Sequence, residues 1–96
     1  MTIDHETFDD RGVLHLREED GERVAYLTYD RPAESRLTIT YVEVDPAHRG
    51  RGLAKRLVQE MVEYRERQGA KMNATCGVAR AMLVKMGEIS GVGSIS

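Results

Sequence analysis

Apolar and polar positions alternate along the first third of the chain. Within Gly12 to Glu18, the run Val13-Leu14-His15-Leu16-Arg17 puts Leu14 and Leu16 on one face of an extended segment. Asp20-Gly21 supplies hairpin-turn chemistry, and Val24 to Tyr29, rich in β-branched and aromatic residues, predicts a second strand. Arg31-Pro32 should end it, because proline cannot donate to a ladder, which leaves residues 32–35 as a loop. Arg36 to Val44 predicts a third strand with a broken rhythm. Its apolar residues sit at odd positions (Leu37, Ile39, Tyr41) and then at even ones (Val42, Val44). Such a slip of one residue fits a β-bulge near Val42 to Val44; it fits equally a strand covered on both faces near its end.

After Asp45-Pro46 the period changes from two to about three and a half. Leu53, Ala54, Leu57, Val58, Met61 and Val62 mark one face of an amphipathic helix over Gly52 to Gln68, with Gly69 as its C-cap. Glu63 and Arg67 lie one turn apart on its wet face. Lys71 to Cys76 predicts a fourth strand with Met72, Ala74 and Cys76 on one side, and a second helix follows over Val78 to Met86. Strand, helix, strand in that order makes the third and fourth strands parallel neighbours with a right-handed crossover. The fold class is therefore α/β: a mixed, mostly antiparallel sheet with one parallel unit and two helices. Residues 1–96 read as a single domain ending in a frayed tail from Gly91.

Composition narrows the function classes. A formal net charge of -2 argues against nucleic-acid binding, which normally needs a basic excess. The charge is uneven, however: Asp4, Glu6, Asp9, Asp10, Glu18, Glu19, Asp20 and Glu22 crowd the first quarter, and Arg49, Arg51, Lys55 and Arg56 cluster without an intervening acid. One basic site on a near-neutral chain suits a small anionic ligand. Cys76 is the only cysteine, so an internal disulfide is excluded, and His5, His15 and His48 have no metal-ligand spacing. No metal is expected. Residues 1–6 are charged from the start and do not read as a signal peptide, and no apolar run approaches the roughly 20 residues of a membrane span. The expected compartment is the cytoplasm, with no membrane partner.

The strongest chemical signal is His48-Arg49-Gly50-Arg51-Gly52-Leu53-Ala54, set between a strand and a helix. A helix start has unpaired N–H groups and partial positive charge, and glycines allow a phosphate close to the backbone. It is neither a Walker loop nor the dinucleotide fingerprint, since Gly-Lys-Ser/Thr and the third glycine are both missing. Arg49-x-x-Gly52-x-Ala54, after Tyr41-Val42-Glu43-Val44-Asp45-Pro46 and before a long amphipathic helix, resembles the acyl-CoA motif of the GNAT superfamily of N-acetyltransferases. The likeness extends over most of Val13 to Glu88, toward the small single-domain members. There, a Thr-Glu-Val-like run resembling Val42-Glu43-Val44 precedes the loop, and the next parallel strand ends in a cysteine that Cys76 matches.

The resemblance implies acetyl-CoA as cosubstrate. Backbone amides of Arg49, Gly50, Arg51, Gly52, Leu53 and Ala54 would hold the pyrophosphate, the pantetheine arm would lie where the parallel strands splay, and a main-chain amide among Val42 to Val44 would polarise the acyl carbonyl. Three side chains are candidates for chemistry. Cys76 is a nucleophile or acid, or else a small buried hydrophobe. Glu43 is a base for the amine, or a strand glutamate facing water. Tyr41 is a proton donor, or a core tyrosine, the better reading of the two. His48 touches at most a phosphate, and His5 and His15 read as unpartnered surface residues. The implied function is transfer of an acetyl group to a primary amine, directly from acetyl-CoA, the acidic first quarter suiting a cationic acceptor. The rival is a non-catalytic CoA-binding module acting as sensor or complex subunit. The acceptor and the oligomeric state are not encoded in any motif of the chain.

Overall fold

A computed structural model describes residues 1–89; the tail expected from Gly91 lies outside the described residues. Five strands form one sheet in chain order: β1 (Thr2–Thr7), β2 (Arg11–Arg17), β3 (Arg23–Ala33), β4 (Arg36–Val44) and β5 (Lys71–Ala74). Neighbours are antiparallel except β4 and β5, which run parallel across helix α1 (Leu53–Gln68). Helix α2 (Gly77–Lys85) follows β5, and a single 3-10 turn, Pro46–His48, links β4 to the loop before α1. The predicted fold class is the observed one.

The hydrophobic phase decides which face each element turns inward. Leu14 and Leu16 of β2, Leu27 of β3 and Leu37 and Ile39 of β4 are wholly buried against Leu57, Val58 and Met61 of α1 and Leu83 of α2. Side chains of this kind contribute roughly 1.5–3 kcal/mol each on full burial. Both helices share this one core and touch each other, so they cover the same face of the sheet. The opposite face is polar and half-exposed, with His15, Tyr26, Thr28, Thr38 and Thr40 standing on it and Thr28 Oγ1 bonded to Thr40 Oγ1 at 2.7 Å. Gly69 caps α1 as expected, its N–H donating to Arg65 O and Glu66 O. Arg67 pairs with Glu60 at 3.9 Å, in place of the Glu63 partner suggested by spacing.

Several boundaries differ from the sequence reading. Strand β3 runs on through Pro32 to Ala33, because the ladder skips between Asp30 and Ala33 and asks no N–H of Pro32. Strand β5 stops at Ala74, where β4 and β5 part, and α2 starts and ends one residue early. Strand β1 is not foreshadowed by the hydrophobic pattern at all. Thr2–Thr7 has no apolar alternation; it is held by β2 and by cross-strand charges, with Arg17 Nε donating to Asp4 Oδ2 at 2.9 Å and His15 Nε2 2.7 Å from Glu6 Oε1.

The histidines are correspondingly not unpartnered. His5 Nε2 lies 2.6 Å from the Tyr29 hydroxyl, and its ring meets Tyr64 edge-on at 4.6 Å. Partial burial there lowers the His5 pKa below its ordinary value, with Arg67 adding to the effect and Glu60 opposing it. His15 is held between Glu6 and Arg23, and its side chain is only 12% exposed.

Candidate functional site

The site begins with a fault in strand β4. Ile39 O accepts from Thr75 N (2.9 Å), so Ile39 turns its backbone groups toward β5. Asp45 N donates to Val24 O (2.8 Å), so Asp45 turns toward β3. Residues an even number apart on a regular strand face the same edge, and these two face opposite edges. One extra residue must lie between them. The register places it at Thr40: Tyr29 pairs with Ile39 and Thr28 with Tyr41, leaving Thr40 unmatched. The bulge inferred from the hydrophobic slip is real, but it sits before Tyr41 rather than at Val42 to Val44. Tyr41, counted from sequence as an inward residue, is 47% exposed on the polar face. A bulge bends the strand and re-aims the residues beyond it.

The re-aiming has two effects. Val42 and Val44 turn their side chains to the core, partly buried against it. By alternation from Asp45, their N–H groups turn to the edge that faces β5. Among the described residues no strand pairs with that edge, since the β4–β5 ladder ends at Ile39 and Ala74. The two parallel strands therefore enclose an opening lined on one side by backbone groups that β5 leaves unpaired.

The loop after the 3-10 turn closes the opening. Gly50 (φ +83°) and Gly52 (φ +75°) occupy the left-handed region that disfavours other residues, and a Cβ on either would point into empty space. Gly52 is the N-cap of α1 and provides no side-chain cap, and the first turn contains no acid. The leading N–H groups of the helix are thus neither capped nor neutralised, which is the condition for receiving an anion. The resulting cleft, of about 490 Å³, is lined by β4 (Val42, Glu43, Val44), the loop and first turn of α1 (Arg49, Gly50, Gly52, Leu53, Ala54, Lys55) and α2 (Val78, Met82). An amide-lined, cationic end with an apolar flank fits a ligand that is a phosphate at one end and a neutral chain at the other. Arg51 lies on the same loop, outside this lining.

The candidate chemical side chains divide into two groups. Tyr41 donates its hydroxyl to Glu43 Oε1 at 2.9 Å, and Glu43 Oε2 stands 3.5 Å from Arg49 Nη2. That hydrogen bond, reinforced by the carboxylate charge, raises the Tyr41 pKa and keeps its proton in place. Cys76 is separate: it is the half-buried N-cap of α2, packed against the core two residues beyond the end of β5, and it does not line the cleft. His48 faces away from phosphate chemistry, its ring 3.6 Å from Glu18 and 3.8 Å from Asp45. Asp4 and Glu6 of the acidic first quarter are paired across the sheet, and neither lines the cleft. Lys55 and Met82 were not singled out from sequence as cleft residues. Lys55 carries the signal that could have found it, a cation in the first turn beside the loop, whereas Met82 reaches the cleft only through tertiary packing.

No described helix is long and apolar enough to cross a membrane. Among solved structures, the chain is similar to ribosomal-protein-alanine N-acetyltransferase from Brucella melitensis biovar Abortus 2308, with TM-score 0.68 and 16% identity over 91% of this chain and 70% of that one. It is also similar to a GCN5-like protein from Staphylococcus aureus (TM-score 0.64, 22% identity, 86% and 79% covered) and an acetyltransferase from Bacillus cereus ATCC 14579 (0.59, 20%, 66% and 45%). At these identities the likeness is one of fold, and the chain spans less than half of the Bacillus cereus protein. No curated protein matches the sequence. The sequence model described as GCN5-related N-acetyl-transferase matches residues 13–92, most of the chain. With the bulged strand, the splayed parallel pair and the glycine-flanked helix start in place, the chain belongs to the GCN5-related N-acetyltransferase family.

Proposed function

We propose that the protein transfers an acetyl group from acetyl-CoA to a primary amine, and that the acyl group passes directly to nitrogen. The observation that carries this reading is the coincidence, in one cleft, of the β4 N–H groups of Val42 and Val44, which β5 leaves unpaired, with the uncapped, glycine-flanked start of α1. The amides from Arg49 to Ala54, with Lys55 beside them, would hold the pyrophosphate. Val42, Leu53, Val78 and Met82 would flank the uncharged arm. When bound, the cosubstrate supplies an activated acyl thioester.

The chain's own residues supply the rest. Of the Val42 and Val44 N–H groups, two residues apart on one strand edge, one would be a fixed donor for the carbonyl oxygen that gathers negative charge, an oxyanion-type role. Glu43 accepts the proton shed by the attacking amine, and Tyr41 holds the carboxylate in place. The departing thiolate takes its proton from water, since Cys76, at the helix start beyond β5, stands outside the cleft lining. Holding the reactants together provides much of the remaining rate enhancement.

Labelled acetyl-CoA and a panel of primary amines test the reading. Label should pass to an amine, and protein without amine should carry little label. Rapid stoichiometric label on Cys76, discharged by amine at a competent rate, would replace direct transfer with an acyl-cysteine route. Binding without any turnover would favour the CoA-binding module. One observation favours that second reading: the sheet face bearing Tyr41 is half-exposed, and among the described residues no helix stands over it to shape an acceptor site.

A further inference from the structure

A second cavity, of about 320 Å³, lies over the parallel strand pair and shares no lining residue with the cleft at the start of α1. It is lined by Arg36, Leu37 and Thr38 of β4 and by Lys71, Met72 and Asn73 of β5. Alternation with the buried Leu37, Ile39, Met72 and Ala74 puts Arg36, Thr38, Lys71 and Asn73 on the polar face of the sheet. The ladder sets Arg36 directly opposite Lys71, and Thr38 opposite Asn73. Neighbouring strands are only about 4.8 Å apart, and like charges set opposite one another destabilise a sheet. Among the described residues neither cation has an ion-pair partner to offset that cost. Asp30 is the partner of Thr38 across β3, yet it pairs with neither cation and does not line the cavity. Asn73 is oriented by its neighbours: its Oδ1 accepts from Ala74 N at 2.8 Å and from Arg80 Nη1 at 3.0 Å, which uses both lone pairs. What Asn73 has left to offer is its amide N–H pair. Every side chain that can bond a ligand here is therefore a donor, and among the described residues no carboxylate lines the cavity.

We propose that this cavity binds the phosphate group of a small phosphate monoester. Two cations match the nearly double negative charge that such a group carries at neutral pH. Its oxygens can take the planar Arg36 fork, the Lys71 ammonium, the Asn73 amide and the Thr38 hydroxyl together. The space, about ten water volumes at ~30 Å³ each, exceeds a phosphate group and leaves room for what it esterifies. A basic spot this local, on a chain of net charge -2, suits one small anion better than a polyanion. The bound phosphate supplies the negative charge that the opposed Arg36 and Lys71 lack. The site is separate from the acetyl-CoA reading and does not rest on it.

Amide NMR tests the site, with inorganic phosphate titrated into the labelled protein at about pH 7.5 and sodium chloride holding the ionic strength constant. The backbone amides of Thr38, Lys71 and Asn73 and the Asn73 side-chain amide should shift saturably. Glycerol phosphate, a monoester, should bind at least as tightly, and acetate, with a single charge, at least roughly threefold more weakly. Arg36→Gln and Lys71→Gln should each weaken phosphate by roughly three- to tenfold. Thermal melts add a readout that a structural role would move the other way. Without phosphate, Lys71→Gln should melt no lower than the wild type, because it relieves the like-charge pair, and phosphate should raise the Tm of the wild type more than that of the variant. Undiminished phosphate affinity in both variants, or shifts no larger than matched chloride produces, would overturn the proposal. So would a Lys71→Gln variant that melts lower and keeps its full phosphate response, since the cation would then serve the fold. Shifts confined to Gly50–Ala54 would overturn it as well, while leaving the acetyl-CoA reading intact.

Discussion

Tyr41 and Glu43, two residues apart on β4, point to the same side of the sheet, and the phenol donates to the carboxylate at 2.9 Å. Their pairing depends on the bulge at Thr40, which turns Tyr41 out of the core and onto this face. If Glu43 is the base, Glu43→Gln should lower turnover about 10²-fold or more, since it removes the proton acceptor. Tyr41→Phe should cost less, roughly 3- to 10-fold, because it loosens the carboxylate without removing it. Neither change should weaken CoA binding. Steady-state rates beside calorimetric titration with CoA check both.

Gly52 and Gly69 flank α1 with similar left-handed backbones, at φ +75° and φ +64°. An alanine in that region costs roughly 1–2 kcal/mol, so each substitution should lower stability by a similar amount. Their effects on ligand should differ. Gly52→Ala places a methyl group where the phosphate of the proposed cosubstrate would approach and should weaken CoA at least tenfold, whereas Gly69→Ala should leave affinity unchanged. Valine at Gly52 would add β-branched strain, which makes alanine the cleaner probe. Thermal melts and CoA titrations of the two alanine variants, run side by side, separate the stability effect from the binding effect.

Gly12 on β2 lies under the Tyr29 ring so closely that a Cβ would fall 2.3 Å from the phenol oxygen. Tyr29 is only 2% exposed, and its hydroxyl is engaged by His5, so it has little room to yield. Gly12→Ala should cost about 1–3 kcal/mol, or roughly 4–8 °C of melting temperature per kcal/mol in a domain this small. CoA affinity in the folded fraction should not change, because neither residue lines the cleft.

The readable and the unreadable parts of this molecule differ by the range of the forces involved. The helix start at Gly52 was legible because glycine placement and hydrophobic period are local. The bulge was legible as a slip of phase, but tyrosine suits both core and surface, so Tyr41 was assigned to the wrong side of it and the fault was placed too late. Strand β1 left no local signal. Its partners are Arg17, His15 and Tyr29, contacts that exist only once the sheet has formed. The cleft was partly legible: its amides follow from the motif, but the link between Arg49 and Glu43 needed coordinates.

His5 gives the fold a pH dependence of known sign. Its folded-state pKa is lowered, chiefly by burial, so the unfolded chain binds the proton more readily. Stability from this group is complete above the unfolded value, near 6.5, and is lost as pH falls from there toward the depressed folded value. Urea unfolding at about pH 7.5 and about pH 5, on either side of that value, should therefore show a smaller loss on acidification in His5→Gln than in the wild type. Equal losses would mean that carboxylates elsewhere account for the whole acid dependence.

The proposed acetyl transfer depends on the opening between β4 and β5 receiving CoA with its diphosphate on the start of α1. Backbone amide NMR with CoA titrated into the labelled protein tests it most directly. Gly50, Gly52, Leu53 and Ala54 should shift together with Val42 and Val44, and Thr2–Thr7 at the far edge of the sheet should stay still. ATP at matched concentration should move the loop without the strand. Saturable binding that shifts residues elsewhere and leaves Val42, Val44 and the loop unmoved, or no binding at millimolar CoA, would contradict it.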